Sequence, residues 1–144
     1  MAKQQNFSNH RRFIPLFHGF LALLIVATLI GAAINVFRSM DGDGLYSASL
    51  IVAIALGNVF MFLFLRLFVM KVQDRAIRVE ENLRNYARNG ALLDSRLDLR
   101  QIIGLRFAPD DEFDDLAARA VNDGLSEDDI KKAITNWKAD NDRA

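Results

Sequence analysis

Two long apolar runs joined by a seven-residue polar turn constrain this chain more than any other feature. Residues 13–37, FIPLFHGFLALLIVATLIGAAINVF, contain no Asp, Glu, Lys or Arg over 25 positions. As a helix, that length crosses about 30 Å of hydrocarbon with some tilt. Residues 45–70, LYSASLIVAIALGNVFMFLFLRLFVM, form a second run, broken only by Arg66 near its end. Residues 38–44, RSMDGDG, hold two glycines and two aspartates and read as a tight turn. So short a connection makes the spans antiparallel neighbours. A cleaved signal peptide is the alternative for the first run. Its apolar stretch is longer than a usual signal core, and a second span follows directly.

Lysine and arginine near the span ends set the orientation. Lys3, Arg11 and Arg12 precede the first span, and Lys71, Arg75 and Arg78 follow the second. The turn carries only Arg38. Both termini are therefore expected in the cytoplasm of a bacterial inner membrane, with the turn outside.

Small residues recur at intervals of four in each span. Ala27, Gly31 and Asn35 share one face of the first helix, and Ser49, Ala53 and Gly57 share one face of the second. Folding the chain at residue 42 pairs Asn35 with Ser49, Gly31 with Ala53 and Ala27 with Gly57. Small residues let helix backbones approach closely in lipid, so these faces are expected to pack within the hairpin. An interface between copies is the competing use. Phe60, Phe64 and Phe68 form a separate stripe, expected to face lipid or another subunit.

Polar groups inside a membrane are costly, so His18, Asn35, Asn58 and Arg66 stand out. The same folding rule sets His18 and Arg66 at one depth near the cytoplasmic boundary, where Arg66 can reach the headgroups along its own stem. Asn58 lies deeper and is expected to bond a backbone carbonyl or Thr28. A proton relay would want a carboxylate, and neither span contains one.

Beyond Lys71 the second helix should continue to Gly90, a residue type favoured just past a helix end. Val72, Ala76, Val79, Leu83 and Tyr86 recur at spacings of four and three, the pattern of a short coiled-coil seam. The stripe fits a seam between chains or packing against the chain's own last helices equally well. Three shorter helices are expected after it. Asp98 caps the first, over LRQIIGLRFA. Pro109 suits the first turn of DDEFDDLAARAVND, which Gly124 closes. Ser126 and Asp129 resemble a capping box before DDIKKAITNW. Leu99, Ile102, Ile103, Leu105, Phe107, Phe113, Leu116, Ala117, Ala120, Val121, Leu125, Ile130, Ala133, Ile134 and Trp137 supply one small core. A domain this short is near the lower limit for folding unaided, so it should lean on the membrane helices, on a second copy or on a partner.

Net charge is zero overall but is split along the chain. Residues 1–90 carry 10 basic and 5 acidic side chains, and residues 91–144 carry 8 basic and 13 acidic. The positive part suits anionic headgroups. The negative part is a poor match for nucleic acid, so none is expected as a partner. With no cysteine and two histidines, thiolate chemistry and the usual zinc sites are excluded. The acidic run Asp110, Asp111, Glu112, Asp114 and Asp115 lacks the central glycine of a calcium loop and reads as a helix start.

Four stretches, NHRRFIPLFH, KVQDRAIRVEENLR, IIGLRFAPDDE and IKKAITNWKAD, together resemble a family of small two-span bacterial membrane proteins known as a domain of unknown function. The resemblance runs through nearly the whole chain and implies the hairpin and the helical tail. Members are sometimes labelled transporter permeases. This chain is too small to enclose a path and lacks a GxxxxGK[ST] nucleotide motif, so that label is not adopted.

The expected fold class is all-α: a membrane hairpin of two transmembrane helices plus a small cytoplasmic helical domain. Its parts are an N-terminal segment 1–12, the hairpin 13–70 with its turn 38–44, a juxtamembrane helix 71–90 and a helical domain 91–144. The expected function is a non-enzymatic accessory or adaptor subunit of a larger membrane complex, or a homo-oligomer. Its partners would be membrane lipids and other membrane subunits or itself, with no cofactor. The alternative is a binding module for a lipid, quinone or pigment.

Overall fold

The computed structural model describes residues 5–10 and 13–140 and is all-helical there. Lys3, Arg11 and Arg12, which carry the N-terminal side of the orientation argument, lie outside the described residues. The five α-helices are α1 (Ala22–Arg38), α2 (Leu45–Asn89), α3 (Leu99–Leu105), α4 (Asp110–Asn122) and α5 (Glu127–Ala133), and a π-helical segment, Pro15–Leu21, precedes α1. Helices Pro15–Arg38 and Leu45–Asn89 are long and apolar enough to cross a membrane. The chain divides into two compact units. Residues 13–68 form the hairpin; residues 69–140, with residues 5–10, form the helical domain.

The first apolar helix starts two residues later than its apolar run. Ile14 is extended and Pro15 takes the first helical position, where its missing N–H costs nothing. At the other end the Ser39 N–H bonds the carbonyls of Asn35 and Val36 at 3.1 and 3.0 Å, and α2 begins six residues later. The buried residues of the hairpin are Ala32, Ala48 and Ala55. Half-buried Ile25, Leu29 and Val36 accompany Ala32, and half-buried Val52, Val59 and Phe62 accompany the other two.

This corrects the expected packing face. Ala27, Gly31, Asn35, Ser49, Ala53 and Gly57 are all exposed. A Cβ added at Gly31 or Gly57 would meet nothing within 4 Å. At 3.6 residues per turn, that small-residue face lies roughly a third of a turn from the buried one on both helices. The buried face therefore runs through alanines set among half-buried residues at a mixed four-and-three spacing, not through the glycines.

In the helical domain, one cluster joins Ile77, Leu97, Ile102, Ile103, Leu105, Phe107, Ala108, Phe113, Leu116, Ala120, Ile130 and Ile134. Leu93, Leu99, Ala117, Val121, Leu125, Ala133 and Trp137 pack against it. Each fully buried large side chain contributes about 1.5–3 kcal/mol. Short helices hold this core because their ends are well capped. Asp98 accepts from the Gln101 N–H while the Gln101 side chain accepts from the Asp98 N–H, a complete capping box. Ser126 accepts from the Asp129 N–H, but its hydroxyl donates to the Asp129 carboxylate, so the reciprocal half of a capping box is replaced by a side-chain bond. Gly90 and Gly124 take positive φ, at 70° and 63°, where a side chain would be strained.

Three helix boundaries differ from the sequence expectation. Pro109 caps α4 instead of entering its first turn. Helix α3 stops at Leu105, short of Phe107 and Ala108. Helix α5 stops at Ala133, because Glu112 accepts the Thr135 and Asn136 N–H groups at 2.8 and 2.9 Å and pulls that stretch out of helix.

Candidate functional site

Within the hairpin, the structure brings His18 and Arg66 together: Arg66 Nη1 lies 2.7 Å from His18 Nε2. A guanidinium only donates, so Nε2 is the acceptor. Nδ1 faces the Ile14 backbone, 3.1 Å from its N–H nitrogen and 3.2 Å from its carbonyl oxygen. The ring is also flanked by Phe13 and Phe17, with centroids 5.2 and 5.1 Å away. Arg66 is thus tied to a neutral ring that the first turns of the helix hold in place.

Asn58 is placed differently. Thr28 donates to the Leu24 carbonyl at 2.7 Å, its own helix's backbone, and so is not spent on Asn58. Thr28 and Asn58 instead share the wall of a cleft of about 270 Å³ lined by Phe17, Leu21, Leu24, Ile25, Ala55, Met61, Phe62 and Leu65. Phe17 and Phe62 stack across it at 4.8 Å. Phe60, Phe64 and Phe68 remain exposed and stack on one another along α2, at 6.4 and 5.9 Å.

Within the helical domain, the seam residues are the informative ones. Val72, Val79, Leu83 and Tyr86 are 68%, 67%, 64% and 56% exposed, and Ala76 is exposed as well. Of the two uses that fit this stripe equally well, packing against the chain's own last helices is therefore not the one found. The domain takes the opposite side of α2, where Ile77, Glu81 and Asn85 are buried. The reason is polar. Arg84 donates to Glu81 at 3.0 Å, to the Ala108 carbonyl at 2.8 Å and to Asp110, and its guanidinium lies 4.4 Å over the Phe113 ring. Arg88 adds Asp114 at 3.0 Å and the Asp110 carbonyl at 2.6 Å. Asn85 donates to the Ala91 carbonyl at 2.8 Å, and Asn82 accepts from the Leu93 N–H at 3.2 Å. The Arg84 hydrogen bond holds the Asp110 carboxyl below its ordinary range.

Sequence reasoning missed a second feature, the docking of residues 5–10 on this domain. The His10 ring sits 5.8 Å from Phe107 and 5.7 Å from Trp137. Its Nδ1 donates to the Phe7 carbonyl at 2.7 Å, leaving Nε2 to accept from Lys131 at 3.4 Å. Lys131 is itself buried and paired with Glu127. Gln5 and Asp140 exchange bonds at 2.8 and 3.4 Å. His10 lies outside the apolar runs and Lys131 lies 121 residues away in a charged stretch, so no sequence period could have signalled this.

These features define a class: an apolar helical hairpin whose second helix enters a small, self-capped α-domain and leaves one apolar face of that helix free. The chain belongs to the family of unknown function DUF6526, whose pattern matches residues 1–144. No curated protein and no solved structure matches it.

Proposed function

We propose that this chain is a non-enzymatic integral protein of a bacterial inner membrane that acts by assembling with other subunits, as an accessory or adaptor protein or as a homo-oligomer. Both termini and the helical domain lie in the cytoplasm, and the turn at residues 39–44 faces outward. One observation carries the reading: the heptad stripe from Val72 to Tyr86 stays exposed although the chain has a folded domain beside it. Contiguous exposed apolar surface of this kind marks an interaction site. Purification in mild detergent with mass spectrometry of co-purifying chains is the test. A stoichiometric partner chain, or a defined oligomer, is expected. A monomer with no companion would refute the assembly reading. Single cysteines at Gly42 and Asp123 test the orientation, since an impermeant thiol reagent on intact cells should label position 42 and not 123.

A second reading is supported by the hairpin cleft, whose apolar wall carries one amide, Asn58, and one hydroxyl, Thr28. It would hold a lipid chain or a lipophilic cofactor such as a quinone or pigment. Retention of such a molecule through purification, and its loss on Asn58→Leu, is the outcome that would favour it.

A further inference from the structure

We propose that α2 pairs with α2 of a second copy of this chain, as a parallel two-stranded coiled coil over residues 72–86, locked by reciprocal Arg75–Glu80 ion pairs. The inference rests on the assembly reading and names its partner. In a heptad frame, Val72, Val79 and Tyr86 fall at d and alternate with Ala76 and Leu83 at a, in chain order from Val72 to Tyr86. The flanking positions are then fixed. Gln73, Glu80 and Ala87 fall at e; Arg75, Asn82 and Asn89 fall at g.

In a parallel pair, a g residue meets the e residue five positions on in the other helix. Arg75 of each copy therefore meets Glu80 of the other, twice by symmetry. In an antiparallel pair, g meets g and e meets e, so the two charged flanks find no opposite charge. The flanking charges thus select the parallel form. They are also free to do so: Arg75 and Glu80 are both exposed, and among the described residues neither has an ion pair within the chain. Their neighbours on the helix are already spent inward, with Glu81, Arg84 and Asn85 holding the domain.

Membrane topology supplies the same orientation independently. Two copies inserted by one rule run α2 in the same direction, so a parallel seam is the form open to them. Insertion also confines both copies to a plane, which raises their effective concentration and lets two heptads suffice where a free peptide of this length would not pair.

The chain has no cysteine, so one introduced residue reports alone. Leu83→Cys in the full-length protein, in native membranes, should form a disulfide-linked homodimer under mild oxidation. Arg78→Cys, exposed but off the seam, should not. On the Leu83→Cys background, Glu80→Lys should lower the crosslinking rate about tenfold, because two attractions become two repulsions. Arg75→Glu should do the same, and the double reversal should restore the rate. Equal crosslinking at positions 83 and 78 would overturn the proposal, as would failure of the double reversal to rescue. Linkage of position 83 to a different polypeptide would also overturn self-pairing while leaving the assembly reading intact. Absence of any crosslink, with protease resistance after residue 90 showing the domain folded, would overturn both.

Discussion

Residues 13–68 leave Leu16, Leu23, Phe37 and Phe60 exposed and bury three alanines, whereas residues 69–140 bury Phe107, Phe113, Ile102, Leu105 and Ile130 completely. The hairpin hides its smallest apolar residues, and the domain hides its largest. The difference fits the membrane reading proposed for the hairpin. In lipid, apolar surface gains nothing by leaving the solvent, so contact goes where backbones can come close. In water, burial of area is the driving term, and the bulkiest side chains go inside. Polar groups obey the same contrast. The hairpin answers Arg66 with a neutral histidine, while the domain answers Arg84 and Arg88 with carboxylates and carbonyls.

The largest expected effect lies in the domain core. Phe113→Ala removes a fully buried ring that also underlies the Arg84 guanidinium. Truncations of this kind cost about 3–5 kcal/mol, a large share of a small domain's stability. The domain should become protease-sensitive beyond residue 90 with the hairpin still inserted. Retained protease resistance would mean that the domain is not held by this core.

Arg84→Ala comes next, at about 3 kcal/mol, chiefly because Glu81 would be left buried without its cation. Adding Glu81→Leu should recover much of that loss, since the orphaned charge is then removed. A double variant no better than Arg84→Ala in a denaturant titration would contradict this account of the pair.

The comparison also explains what could be read in advance. Every core position expected for residues 91–144 is found in or against the cluster, because in water the apolar period itself separates inside from outside. Ile77 escaped notice because the stripe beside it, Val72 to Tyr86, has the stronger period. That period belongs to a surface the domain does not use. The two apolar runs and their turn were equally legible from length and composition. The face used between them was not, because all sides of such a helix are apolar. Gly31 and Gly57 matched a small-residue rule that alanines at 32, 48 and 55 satisfy instead. Arg84 and Arg88 carry no sequence pattern that marks their role, because their partners Asp110 and Asp114 on α4 lie 26 residues away.

Substitutions in the hairpin sharpen the same contrast at smaller scale. Ala32→Leu forces bulk into a closed contact and should cost about 1–3 kcal/mol. Gly31→Leu should cost close to nothing within the hairpin, since nothing stands within 4 Å of its added Cβ. Crosslinking of a cysteine pair at Phe17 and Phe62 in each background reads the difference. If Gly31→Leu were the more disruptive, the small-residue face would be an interface between copies.

The smallest effect is one of pH and separates two carboxylates that look alike. Arg84 holds Asp110 below its ordinary value of 3.8, and Arg96 holds Asp94 down to about 2. Arg84 lies 26 residues from Asp110, so that bond exists only when the domain is folded. Arg96 lies two residues from Asp94 and can find it in the unfolded chain as well. As pH falls, the unfolded state therefore protonates Asp110 first. Its contribution is present in full above the ordinary carboxylate value and is lost as pH drops through the lowered folded value. Both carboxylates are open to solvent, so the contribution is modest. Wild type should melt slightly above Asp110→Asn at pH 7, with the gap closing toward pH 2. Asp94→Asn should show no such closing gap. A gap for Asp110→Asn that is the same at both pH values would show that the Arg84 bond is not what lowers its carboxyl.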